Sequence, residues 1–280
     1  MIIWLASYPK SGNTWVRHFL ASLIYSNQGK SGLDKLGFIL QYPKRDQFEK
    51  LVTNLNDFRQ IKKNWIKSQD LINSDNKIKI FKTHHTLCTF EGDNFTNEKN
   101  TLGAIYIVRD PRNVISSILY HFNLSNIEEA LNFIKDEKRF IVGNIKNKVN
   151  YPLLTLIGSW KSNYNSWKNI GKNFLLVKYE NLILNPNYEF NRIAKHISEI
   201  ANLKFSKEQI NKSIEESSFK NLSILEDKNG FVESVEDLKN NKKKFFNLGP
   251  KNNWQKILDK KYINEIESSF SDETKELGYI

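Results

Sequence analysis

Five side chains suited to handling a transferred anion follow apolar runs in this 280-residue sequence: Lys10, Lys82, His84, Arg109 and Ser117. Lys10 lies in Ser7-Tyr8-Pro9-Lys10-Ser11-Gly12-Asn13-Thr14-Trp15, between an apolar run and an amphipathic one. A turn opening a helix offers unpaired N–H groups and the positive end of the helix dipole, a setting for phosphate. Gly12 lets backbone approach a ligand closely. Arg109 ends Ile105-Tyr106-Ile107-Val108 and can grip a phosphate through two parallel N–H bonds, or pair with a carboxylate. Ser117, two turns into the following helix, can face the same anion. In Lys82-Thr83-His84-His85, one histidine can take the proton of an attacking hydroxyl near neutral pH. His85 reads as structural or exposed.

The elements that must position these groups follow from periodicity. Ile2 to Ala6 is continuously apolar, a short buried strand. Ser7 to Gly12 is a turn, and Thr14 to Tyr25 carries apolar residues at helical spacing. Residues 30 to 75 are mixed, with a helix expected from Asp57 to Leu71. Strands are expected at Lys77 to Lys82, Leu102 to Val108 and Asn173 to Tyr179. Helices are expected at Arg112 to His121, Ile127 to Phe140, Leu153 to Asn169, Tyr188 to Ile197 and Lys207 to Glu216, and again after Trp254. Strands separated by helices predict an α/β fold with a mostly parallel central sheet in three layers, α/β/α. Ligands bind such sheets at the carboxyl ends of the strands, where these motifs lie.

Composition narrows the classes. With 39% hydrophobic residues and no linker-like stretch, the chain reads as one domain over residues 1–280. The net charge of +11 admits nucleic acid, an anionic surface or a small polyanion. Lysine is spread along the whole chain without a recognition motif, so no nucleic-acid partner is expected. A single cysteine, Cys88, excludes an internal disulfide framework and gives no metal cluster. No apolar run approaches a bilayer span, and none resembles a signal peptide, so a soluble cytoplasmic protein without stable membrane insertion is expected.

The lysine precedes the glycine in the first motif, so this is not the nucleoside-triphosphate loop G-x-x-x-x-G-K-[ST]. It closely resembles the 5′-phosphosulfate loop of sulfotransferases that use 3′-phosphoadenosine 5′-phosphosulfate (PAPS). That resemblance makes the fold P-loop-like. It implies a catalytic Lys10, with Ser11, Gly12, Asn13, Thr14 and Trp15 binding the donor; Asn13 stands where the family often has threonine. Ile105 to Ser117 looks like the family's 3′-phosphate motif, implying that Arg109 and Ser117 bind that group, and its continuation Tyr120-His121-Phe122 fits too. Lys82-Thr83-His84 resembles the cytosolic branch, implying His84 as general base and Lys82 as support for the transferring group. The base type tilts the reading towards small acceptors.

Weaker likenesses extend to Trp254. Lys178-Tyr179-Glu180-Asn181-Leu182 and Ser217-Ser218-Phe219 resemble segments touching the adenine, implying Tyr179, Ser217 and Phe219 as donor contacts. A half-buried core role for Tyr179 is an equal alternative. Phe245 to Trp254 looks like a degraded Arg-Lys-Gly-x-x-Gly-x-Trp loop in which Gly249 and Trp254 fit. Asn247 and Leu248 replace the basic pair; Lys251 or Lys242-Lys243-Lys244 are the candidates to supply its charge, or that run is only a solvated face. The implied reaction is metal-free in-line sulfuryl transfer to a hydroxyl or amine of a small acceptor, leaving adenosine 3′,5′-bisphosphate (PAP). The rival readings are a P-loop nucleotide or small-molecule kinase with Asp110 on a metal, a non-catalytic basic binding protein, and an inactive family member. The acceptor and a homodimer are left open.

Overall fold

A computed structural model describes residues 1–25, 32–142, 150–171, 173–237, 239 and 241–280. The family resemblance is diffuse in residues 25 to 75 and 123 to 150, where acceptor contacts are expected; of these, 26–31 and 143–149 lie outside the described residues.

Four strands, β1 (Ile2–Ser7), β2 (Lys79–Thr83), β3 (Thr101–Val108) and β4 (Phe174–Lys178), form one sheet in the order β2-β1-β3-β4. All three pairings are parallel, so every strand delivers its carboxyl end to the same edge. β1 is buried along its whole length, as its continuous apolar run requires for a strand covered on both faces.

Alternation along the strands divides the core. Ile3, Leu5, Ile105, Ile107 and Val177 pack with Val16, Phe19 and Leu20 of helix α1 (Asn13–Tyr25), among other residues. Trp4, Ala6, Ala104 and Tyr106 face the opposite way, with Trp160, Tyr164 and Trp167 among their cluster. The two faces make the expected three layers.

Several expected boundaries shift for local reasons. The helix anticipated from Asp57 to Leu71 breaks at Asn64 into α2 (Phe58–Lys63) and α3 (Trp65–Ile72). The next two helices are α4 (Pro111–His121) and α5 (Ile127–Lys135). Asp110 caps α4 by accepting from Arg112 N, and Pro111 pre-sets its first turn. α5 stops before Phe140, which instead pairs antiparallel with Leu156. The helix anticipated from Leu153 starts only at Trp160, as α6 (Trp160–Lys168): Gly158 turns with φ +61° and Ser159 forms a capping box with Ser162. After β4 come α7 (Tyr179–Leu184), α8 (Pro186–Ala201) and α9 (Lys207–Glu216). A helix not anticipated, α10 (Phe219–Asn229), follows, capped by Ser218. The last two are α11 (Lys260–Ser269) and α12 (Ser271–Glu276). Among the described residues, no helix is long and apolar enough to cross a membrane.

Candidate active site

The turn between β1 and α1 is shaped by two left-handed residues, Lys10 at φ +67° and Gly12 at φ +103°. A Cβ on Gly12 would lie 2.5 Å from Cδ2 of Tyr179, so the tight approach of turn and ring requires glycine. Asn13 contributes beyond its backbone. Its side-chain amide donates to Leu5 O and to Ser7 Oγ, both at 3.1 Å, stitching the strand end to the helix start.

Arg109 arrives beside this turn from the end of β3. Its Nη1 donates to Lys10 O at 3.1 Å and to Ser117 Oγ at 3.3 Å, and its guanidinium lies 4.3 Å from the Tyr179 ring centre. The sequence offered either an anion or a carboxylate as partner; the side-chain group found on Arg109 is the Ser117 hydroxyl. Its Nε is buried without a partner among the described residues, as are Trp15 Nε1 and Ser11 Oγ. Buried donors left this way are filled by a ligand or by water, which suits an anion site.

His84 stands at the end of β2. Its Nδ1 lies 2.8 Å from Ser7 O. A carbonyl only accepts, so Nδ1 carries the hydrogen and the Nε2 lone pair is left to take a proton. Burial first, and then Lys82, push the His84 pKa down to about 3, so the ring is neutral at physiological pH. Lys10 Nζ lies 3.5 Å from His121 Nδ1 and 4.0 Å from the Phe245 ring centre. Burial lowers its pKa to about 7, with Lys82 and Arg109 adding to the effect against Glu233. Lys82 is buried, with Nζ 3.4 Å from the Glu233 carboxylate. His85 is fully buried and stacked on Phe95 at 4.4 Å, the structural placement expected of it.

These groups open on one cavity of about 910 Å³. Lys10, Arg17, Lys44, Lys82 and Arg109 line it against the carboxylates of Asp34 and Glu233. Gly12, Asn13, Thr14, Trp15, His84, Ser117, Tyr179, Phe219 and Gly249 line it too, so distant motifs meet as expected. Tyr179 is almost fully buried, yet its ring faces both Gly12 and Arg109, which joins its two alternative roles. Gly249, at φ +48°, packs so closely on Phe219 that a Cβ would come within 2.1 Å of its ring.

Ser217 lies apart from the other residues expected at the donor. Its hydroxyl donates to Ser213 O at 2.8 Å inside the end of α9, and the residue does not line the cavity. The lysines considered as substitutes for the missing basic pair do not line it either. Lys243 Nζ reaches Tyr120 O and Asn123 Oδ1, Lys244 pairs with Asp227 at 2.7 Å, and Lys242 and Lys251 are exposed. Asn247 and Leu248 line the cavity without charge. Asn252 instead ties this loop to α4, donating to Asn113 O at 2.9 Å and Ser117 Oγ at 3.3 Å.

Sequence reasoning missed Arg17 and Glu233, and gave His121 no role beyond its place in the motif. Arg17 lies one turn beyond Asn13 on α1. Glu233 lies in an irregular stretch with no local signal. Among the described residues, no group of three or more His, Cys, Asp or Glu side chains could hold a metal ion.

Sulfotransferase 1 family member D1 of Mus musculus is 22% identical over 278 residues, 95% of this chain and 84% of its own length. Sulfotransferase 1B1 of Canis lupus familiaris is 28% identical over 204 residues, 71% of this chain. That match covers 59% of the dog protein, less than two thirds of its length. A solved retinol dehydratase in complex with retinol and PAP shares the fold, with a TM-score of 0.61 and 16% identity, covering 98% of this chain and 81% of that one. A family model, "Sulfotransferase domain", matches residues 2–278, so the chain belongs to the sulfotransferase domain family.

Proposed function

We propose that this enzyme transfers a sulfuryl group from PAPS to a hydroxyl or amine of a small acceptor, with His84 as base. The observation that carries the reading is the link between two anion grips. The Lys10 turn and the Arg109–Ser117 pair face one cavity, joined by the bond from Arg109 Nη1 to Lys10 O. A 5′-phosphosulfate on the first and a 3′-phosphate on the second place the adenine near Tyr179 and Phe219. The solved relative bound to PAP supports this choice of nucleotide. Without the family's basic pair, the 3′-phosphate rests chiefly on Arg109 and Ser117.

His84 Nε2 takes the acceptor proton as the acceptor oxygen or nitrogen bonds to sulfur. The bond from sulfur to the bridging oxygen breaks, and its electron pair goes to the phosphate. Lys10 offsets charge on that leaving oxygen, and Lys82 offsets charge on the equatorial oxygens. As in phosphoryl transfer, the protein positions the reactants and stabilises charge. The single cysteine, a half-buried free thiol, fits work in a reducing cytoplasm.

The function is tested by following radiolabelled sulfuryl transfer from PAPS to a panel of phenols, alcohols and amines in EDTA. Turnover at the rate seen with magnesium is expected. Transfer only from ATP, and only with magnesium, would assign a kinase instead.

A further inference from the structure

Lys10, Arg17, Lys82 and Arg109 line one cavity, and Glu233, from a distant stretch of chain, sits among these cations. Glu233 Oε1 accepts from Arg17 Nη1 at 2.5 Å, and its two oxygens lie 3.5 and 3.4 Å from Lys82 Nζ. Thr14 Oγ1 donates to the same carboxylate at 3.4 Å. The proposed function assigns Lys82 to the transferring group, and the family resemblance implies Thr14 at the donor, yet here both contact a carboxylate of the protein itself.

The surroundings show how this contact is held. Arg17 is fixed by two backbone carbonyls, with Nε donating to Ile39 O at 2.8 Å and Nη2 to Leu36 O at 2.7 Å. It therefore presents Nη1 to Glu233 from a rigid mount. On the far side, the Glu226 carboxylate accepts from Ser234 Oγ and from the N–H groups of Phe245 and Phe246, at 2.7, 2.7 and 2.8 Å. The strap around Glu233 is thus tied to the segment leading to Gly249. Its neighbour Val232 is 73% exposed, so the strap runs at the surface, while Phe231 packs its ring on Phe245 and Phe246. Carboxylate and sulfuryl oxygens accept the same charge-assisted bonds, and buried cations are costly without a counter-charge.

We propose that Glu233 is a tethered anion that fills the seat of the donor's sulfuryl oxygens in the empty enzyme and is exchanged for them when the donor binds. This rests on the proposed function. Two anions sharing Lys82 repel each other, so the carboxylate gives up Lys82 and Thr14 on exchange. Arg17 keeps both carbonyl partners throughout, so the exchange leaves no orphaned guanidinium.

Calorimetry of wild type, Glu233→Gln and Glu233→Asp with PAPS and with PAP tests this. Glu233→Gln is expected to bind PAPS about tenfold more tightly, the size of one partly buried charge contact. PAP lacks the sulfuryl group and gains less. Glu233→Asp, whose shorter arm draws the charge back from Lys82, falls between. The empty Gln variant is also expected to melt below wild type, with a larger rise in Tm when PAPS is added. If the Gln variant binds PAPS no more tightly than wild type, Glu233 is a structural prop and the proposal fails. If PAPS binds neither protein, the donor reading falls with it. Should the Gln variant not fold, the Asp variant decides by the same comparison.

Discussion

His84→Ala is expected to lower kcat by about 10²–10⁴-fold, the usual worth of a positioned general base. Donor affinity and Tm stay near the wild-type values. The ring touches the protein chiefly through Nδ1 and Ser7, so its removal deletes a proton acceptor rather than a piece of the core. Stopped reactions under single-turnover conditions, with PAPS and the best acceptor, read the effect on chemistry directly. Turnover within a small factor of wild type would mean that another group takes the proton.

Lys10→Ala is expected to lower kcat by about 10²–10³-fold, as for other fixed groups aimed at developing charge. Its ammonium is held by His121 and the Phe245 face, with no carboxylate within bonding distance among the described residues, so its charge is available to the leaving oxygen. The same surroundings set a pH dependence. Lys10 works as a cation, and its pKa in the empty enzyme is about 7. As pH rises through that value the site loses the proton, and kcat/KM, which reports the free enzyme, should fall. His84 works as a neutral base with a pKa of about 3, so no acid limb is expected between pH 5 and 7. In Lys10→Ala the alkaline fall near 7 should vanish along with the rate. A profile still falling at that pH would assign the titration to another group.

Much of this was legible because local and long-range signals coincided. Ile2 to Ala6 is apolar without a break, and Pro111 after Asp110 marks the start of α4, so both donor motifs could be set at strand ends. The Gly12–Tyr179 contact was not legible: it depends on β4 lying beside β3, which no local spacing states. The placement of Ser217 was not legible either, because a serine at a helix end can serve backbone carbonyls as readily as a ligand. Of the two readings left open for the lysine run 242–244, the structure shows side chains turned to nearby carbonyls and carboxylates rather than to the cavity. Glu233 went unseen for the opposite reason. Its partners Thr14, Arg17 and Lys82 are brought to it only by the folded strap.

The central claim is one cradle for two separated phosphates, and side-by-side calorimetry of wild type and Arg109→Ala with PAP and AMP tests it most directly. Wild type should prefer PAP. Arg109→Ala should lose about 10–100-fold in PAP affinity, as expected for charged hydrogen bonds worth about 1.5–3 kcal/mol, while AMP binding barely changes. Equal affinity of wild type for the two nucleotides, or a PAP affinity untouched by the substitution, would contradict the account.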